Sequence, residues 1–386
     1  MATTLTALAP TLFSAAQVVS GEPAGVLDAI NTTWDDKGVA KGDSVIVPYA
    51  PVQATDDFTA SNVLPAGDTN VAAGVTVQIT QSKKTKPMVL TGEQIRSLEN
   101  GGNYQEWVRQ WAEQSMRSLR NLAEADAAEY IKQGASRAVG TAGTTPFATD
   151  LDLIVDVKRI LRDNGAPFAD PQLVIDSAAA ANLQKLGIYQ QAYAAGSDEE
   201  RRSGLYKPQF GFQLRDSAGI AQHVKGTLTS TTSDNAAAAT LAVGTLSINC
   251  DQNTSNTNTV KAGDIITWAG DSNKYVIGVP IASAADDMAV VLNRPGLRAT
   301  LKDGVAGTIG ASYTPSLAFE RSAVVGIMRP PLMPANPSIK TMVISDRFGH
   351  SYLMVEIAQY GQIVWEMHLA YGFKVVQPEH VALILG

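Results

Sequence analysis

Between Asn103 and Gly134 the chain carries its strongest helical pattern. Tyr104, Val108, Trp111, Ser115, Leu119 and Leu122 recur at helical spacing and line up as one stripe. Asn103 is suited to cap the start, and Gly134 to stop the end. Glu113 and Arg117 stand four apart in the favourable polarity. At ~1.5 Å per residue a helix over 103–133 runs roughly 45 Å, well above the average globular helix. A stripe of that length implies a core along it, with Val108, Trp111, Leu119 and Leu122 as its buried members.

The segment before this helix reads as a long two-stranded ribbon, residues 43–92. Asp43 to Val52 is one strand, and Pro48 and Pro51 argue for an edge position. Gly74 to Gln81 alternates apolar and polar residues and is the return strand. The tip between them is polar and carries Asp56, Asp57 and Asp68. A ribbon of this kind is not stable alone in water, so it needs a partner, and another subunit is the simplest one. Ahead of it, residues 1–42 read as an arm that packs on something else. Ser14 to Val19 has weak helical character, and Val26 to Ile30 allows one further turn.

Beyond the long helix, Asp150 to Arg162 reads as a helix ended by Asn164-Gly165-Ala166-Pro167. Leu173 to Asp176 is a short buried strand, and Ser177, a possible cap, opens a small-residue helix to Leu186. Next comes Arg202-Ser203-Gly204-Leu205-Tyr206-Lys207-Pro208-Gln209-Phe210-Gly211-Phe212, running on to Ile220. Residues 225–321 change character, with Thr, Ser, Asn and Ala in the first part and short strands at close turn spacing in the second. That pattern suggests a small barrel or sandwich with Trp268 and Tyr275 in its core. From 322 to 386 four strands are expected, near 323–328, 340–344, 352–357 and 363–368. The chain closes on Gly372-Phe373-Lys374-Val375, with Pro378-Glu379 shortly after.

In this order, these segments resemble the major capsid proteins of tailed phages, which have the Hong Kong 97 capsid fold. The Ser/Thr/Asn-rich insertion and the Gly-Phe-Lys-Val ending look most like the coat protein family of short-tailed Salmonella phages. The resemblance is one of pattern and covers nearly the whole chain. It implies an α+β fold: N-terminal arm (1–42), extended β-ribbon loop (43–92), peripheral domain with a spine helix (93–149), axial domain (150–224), an inserted all-β barrel-like domain (225–321), and C-terminal strands completing the axial and peripheral domains (322–386). It implies a self-assembling icosahedral shell of pentamers and hexamers around double-stranded DNA. A scaffolding protein, a portal and a possible decoration protein are its implied partners. The implied location is the virion, after assembly in the cytoplasm of a bacterial host.

Charge and motif content bear on that expectation. A net charge of −7 argues against a generic nucleic-acid-binding surface, which needs clustered Lys and Arg. A single cysteine, Cys250, excludes an intrachain disulfide and a cysteine metal cluster. The four histidines have no zinc spacing. Phosphate-loop, dinucleotide and nucleophile-elbow motifs are missing from the sequence. No catalytic residue, cofactor or metal is therefore expected. No apolar run is long enough to cross a membrane as a helix, and the N-terminus lacks the character of a signal peptide.

Lys83, Lys84 and Lys86 form the densest basic run. They read either as a solvated strand edge or as an inter-subunit contact for acidic residues such as Asp56, Asp57 and Asp68. Arg201 and Arg202 end the mixed run begun by Asp198, a solvated loop that could pair with itself head-to-tail in a ring of subunits. Two other readings stay open: a phage tail-tube or baseplate protein, which would lack the long helix after a ribbon, and an α/β hydrolase-type enzyme, for which a motif is wanting.

Overall fold

A computed structural model describes residues 5–22, 24–34, 39–49, 73–187, 208–235, 240–251, 258–282, 287–334, 336–346 and 349–386. Its helices are α1 (Leu5–Ser20), α2 (Gly92–Asn100), α3 (Tyr104–Gly134), α4 (Asp152–Asp163) and α5 (Ser177–Lys185). With two large sheets, the chain is of α+β class.

Helix α3 has the expected extent, but its buried face is not the straight stripe read from the sequence. Burial passes through Val108, Ala112, Met116, Leu119, Ala123, Ala127 and Ile131. These are mostly steps of four, each a little more than one turn of 3.6 residues, so the buried face winds slowly around the helix. Leu122 stays on the original line and ends up outside, 41% exposed. It is not a core residue. Trp111 is half-buried, its ring 5.9 Å from that of Trp365. The Glu113–Arg117 pair does not form either. Glu113 binds Arg109 at 2.9 Å, while Arg117 turns to Glu22 in the N-terminal segment. At the far end, α3 runs through Gly134, where a Cβ would lie 2.5 Å from Val375. Glycine there lets the helix meet the sheet closely.

The arm holds the largest departure from the sequence reading. Instead of a weak turn near 14–19, it forms the 16-residue helix α1. Leu5, Leu8, Leu12, Ala15, Ala16 and Val19 are buried against this chain's own core, and α1 packs on α3 and on the strand Ile339–Ser345. Arg120 of α3 ties the end of α1 down by donating to the carbonyls of Val19 and Glu22. Similarly, α5 is capped by the Asp176 carboxylate, which accepts from Ala178 N and Ala179 N, and not by Ser177.

A seven-stranded sheet is built around the long strand Gln362–Val375. Along one edge it pairs with Ser351–Gln359 and then Val324–Arg329; along the other, with Met88–Thr91 and then Gln81–Lys84. Ile339–Ser345 and Asn31–Trp34 are its outer strands. The α3 helix lies across this sheet, and the shared core includes Trp365, Met367, Leu369 and Tyr371.

The second sheet has eleven strands. Five of them, Arg137–Gly140, Val381–Leu385, Pro315–Glu320, Pro171–Asp176 and Gln213–Ser217, pack against α4 and α5. The others lie within 225–321. In spatial order they are Asp287–Val291, Ser247–Asp251, Ser230–Ser233, Ala306–Ile309, Ile265–Trp268 and Lys274–Val276. A bridge between Ile277 and Leu292 joins the last of these to the first, so the six close into a small barrel. Its interior holds Trp268 and Tyr275, 2% and 1% exposed, with Ile248, Val290 and Leu301. The barrel does not stand free of the rest, because Tyr275 and Lys274 pair with Arg137 and Ala138 and continue the sheet into the body.

Candidate functional site

Among the described residues two pairs of strands pair only with each other: the short Thr259–Val260 with Ile281–Ala282, packed on the barrel core, and the longer ribbon, Ser44–Tyr49 against Ala73–Gln78. Its root is closely built. Gly42, with φ at +101°, turns the chain so that its amide reaches Ile79 O at 3.0 Å, while Ile79 N returns to Asp43 O at 2.9 Å. The Asp43 carboxylate accepts from Ala40 N at 2.8 Å. Alternation places Val45, Val47, Val75 and Val77 on one face, over Val325, Ile327, Ala370 and Val376 of the seven-stranded sheet. The return strand crosses the sheet at Gly372, where a Cβ would fall 2.1 Å from Gln78 O. The opposite face has no such cover among the described residues, and Ile46 there is 68% exposed. The root of the ribbon is thus stabilised within the subunit, and its outer face is not.

Asp56, Asp57 and Asp68 of the expected tip, and Arg201 and Arg202, lie outside the described residues. Lys83 and Lys84 sit on the strand Gln81–Lys84, paired to Leu369 and His368 of the long strand. Lys84 reaches Glu366 of its own chain at 2.8 Å. Lys86 is exposed. Burial pushes the Glu366 carboxyl up, but bonds from Lys84 and His368 outweigh it, and its pKa lies below the usual carboxylate value. Burial holds the pKa of His368 down despite that same carboxylate. The two shifts agree on one state: a neutral imidazole whose Nε2–H donates to Glu366 Oε2 at 3.0 Å.

A second built region, which sequence reasoning missed, is the root of the barrel. His223 and Tyr313, where the chain enters and leaves it, exchange backbone bonds of 2.8 and 3.2 Å. His223 Nε2 lies 2.8 Å from Asp264 Oδ1, and that carboxylate also accepts from Gly226 N and Lys261 N. The Tyr313 hydroxyl donates to Gly263 O at 2.6 Å. This buried His–Asp pair has no hydroxyl or thiol nucleophile bonded to its imidazole among the described residues; its bonds close a junction. Two further ties hold the barrel to the body. Asn293 Nδ2 donates to Gln133 O and Ala135 O at the end of α3, at 2.8 and 2.7 Å. Arg137, its pKa pulled down by burial and by Arg298, donates to Asn273 Oδ1 and Asn164 Oδ1, each at 3.0 Å. A lone asparagine before Arg-Pro gives no sequence signal of this role. An arginine inside the small-residue run 135–140 was the one visible hint.

Among the described residues no group of three or more His, Cys, Asp or Glu is placed to hold a metal ion, and no helix is long and apolar enough to cross a membrane. The chemistry present is that of fixed contacts: a seated ribbon, a clamped barrel and buried polar ties.

No protein-family model matches the chain, and no curated protein matches it. Among solved structures it is similar to a chain from Mycobacterium phage Che8, with 14% identity, 94% of this chain and 91% of that chain covered, and a TM-score of 0.47. It is also similar to a chain of the capsid structure of cyanophage P-SCSP1u, with 13% identity, coverage of 94% and 88%, and a TM-score of 0.49. A virus-like particle from Pyrococcus furiosus gives 9% identity, coverage of 97% and 98%, and a TM-score of 0.43.

Proposed function

We propose that this chain is a major capsid protein that polymerises into the icosahedral shell of a tailed bacteriophage, and that it is not an enzyme. The observation that carries this reading is the ribbon. One face is seated on the subunit, the other presents Ile46 to solvent, and among the described residues its two strands have no third to pair with. Such an element is completed by another subunit. Its combination with a 31-residue helix lying across one sheet, and a second sheet flanked by α4 and α5, supports the arm, ribbon, spine and axial order expected from the sequence. The closed barrel formed by strands between Ser230 and Ile309 supports the insertion-bearing coat family of short-tailed phages as the finer assignment.

In that reading the subunits form pentamers and hexamers through heterologous contacts. A scaffolding protein and a portal direct closure, and a decoration protein is a possible addition. The shell encloses DNA without reading its sequence, which suits a net charge of −7. Asp56, Asp57 and Asp68 of the expected tip, with Lys83, Lys86, Arg201 and Arg202, are the proposed inter-subunit charges. Lys84 is the weakest of these candidates, since Glu366 already holds it.

Negative-stain microscopy of the purified protein tests the proposal. Closed shells are expected, tubes would favour a tail protein, and no assembly under any condition would remove the reading. Deleting residues 56–70 is expected to leave a folded subunit that forms no shells.

A further inference from the structure

Three phenylalanines have left-handed backbone: Phe147, Phe168 and Phe210, with φ of 63°, 53° and 51°. That region is sparsely occupied by bulky residues and persists where the surroundings enforce it. For two of them the surroundings are evident. Phe147 is 3% exposed in the core under α4 and α5. Phe168 packs edge-on against Phe212 at 5.4 Å, with Lys158 and Arg162 over its ring at 5.4 and 5.6 Å.

Phe210 is different. It occupies a tight turn closed by Gln209 N to Phe212 O at 3.0 Å and Phe212 N to Gln209 O at 2.8 Å. Its own carbonyl accepts from Lys158 Nζ, and the next residue but one, Phe212, is fully buried. The turn is therefore held rigidly on both sides. The residue is nevertheless 45% exposed, and its ring has no aromatic or cationic partner among the described residues. Gly211, with φ at +94°, is suited to its place in such a turn. Phenylalanine at 210 is not, where Asn or Gly would relieve the backbone. Tyr360, at another hairpin tip, is more exposed still, but its backbone is unstrained and calls for no explanation.

We propose that Phe210 is an association anchor, an aromatic ring presented by a strained and immobilised turn for insertion into an apolar seat on a second copy of this chain. The proposal rests on the self-assembly reading above, which supplies the partner. Rigid aromatic side chains dominate the energetics of protein interfaces because they bury a large area at little entropic cost. Lys158, bonded to the carbonyl of Phe210, places one cation beside the ring, so a carboxylate at the rim of the seat would be its complement. The strain persists because the residue that would remove it would also remove the ring.

The test compares full-length wild-type protein with Phe210→Asn and Phe210→Trp. Two quantities are read: the thermal midpoint of the unassembled subunit, and the threshold concentration for assembly by light scattering. Phe210→Asn is expected to raise the midpoint by on the order of 1 °C and to raise the assembly threshold at least about fivefold. Phe210→Trp is expected to assemble at the wild-type threshold. An unchanged threshold in Phe210→Asn, with wild type assembling normally, overturns the anchor and leaves the shell reading intact. A lowered midpoint in Phe210→Asn shows that the ring is used within its own subunit, and also overturns it. Wild-type protein that never assembles overturns the shell reading and the anchor together.

Discussion

Replacing Leu119 and Leu122 of α3 separately by alanine distinguishes a winding buried face from a straight one. Leu119 is 3% exposed, within the core shared by α1, α3 and the seven-stranded sheet. Its truncation removes apolar groups worth about 0.8 kcal/mol per buried CH₂ and leaves a void among neighbours held by two helices and a sheet. A loss of about 3–4 kcal/mol is expected. Leu122 is 41% exposed, so far less transfer energy is at stake, and the higher helix propensity of alanine offsets part of it. Its loss is expected below about 1 kcal/mol. At an unfolding entropy of about 2 cal/mol/K per residue, a chain of 386 residues changes its midpoint by roughly 1 °C per kcal/mol. Circular-dichroism melting of unassembled subunits should then fall by about 4–5 °C for Leu119→Ala and by about 1 °C or less for Leu122→Ala. Equal shifts would refute the winding geometry.

Gly372→Ala places a Cβ 2.1 Å from Gln78 O and is expected to cost about 1–3 kcal/mol by displacing the return strand of the ribbon, visible as faster proteolysis near residues 73–80. Asn293→Ala leaves the carbonyls of Gln133 and Ala135 without their barrel-side donor. An expected loss of about 1–3 kcal/mol, with faster amide exchange at the end of α3, checks this tie. His368 has a folded pKa below its ordinary 6.5, so the unfolded chain binds the proton more readily, and stability should fall as pH drops below about 6.5. Glu366, held below 4.5, adds a further loss at lower pH, as its carboxylate protonates. Melting of wild type and His368→Gln between pH 7 and 5 should show a smaller decline in the variant. Residues 225–321 expressed alone keep the barrel interior but expose Ile265, Val276 and the strand Pro315–Glu320, which the body covers, and lose the His223 partner of Asp264. A cooperative transition with dispersed amide NMR shifts, at a lower midpoint than the full chain, is the expected result.

Local pattern was enough for elements whose surroundings are simple. The extents of α3 and α4, the strand Pro171–Asp176 and the three strands between residues 322 and 360 follow from periodicity and turn residues, because each has one buried face or is buried throughout; the strand expected at 363–368 instead runs on to Val375. Trp268 and Tyr275 stood out as large aromatics within short strands. The pairing of the ribbon was also readable, since alternation sets which valines share a face. Tertiary structure decided the rest. Helix α1 has little polar contrast around its circumference; its extent depends on α3 and the sheet that receive it. The outward position of Leu122 depends on how α3 winds across its sheet, which a fixed stripe does not encode. Arg117 chose Glu22 over Glu113 because the N-terminal segment brings that carboxylate alongside the helix. The barrel root joins His223, Asp264 and Tyr313 from three separate connecting segments, and Asn293 reaches α3 from 160 residues away in sequence. Such ties satisfy buried polar groups left by the packing of distant elements, so they arise only once those elements meet.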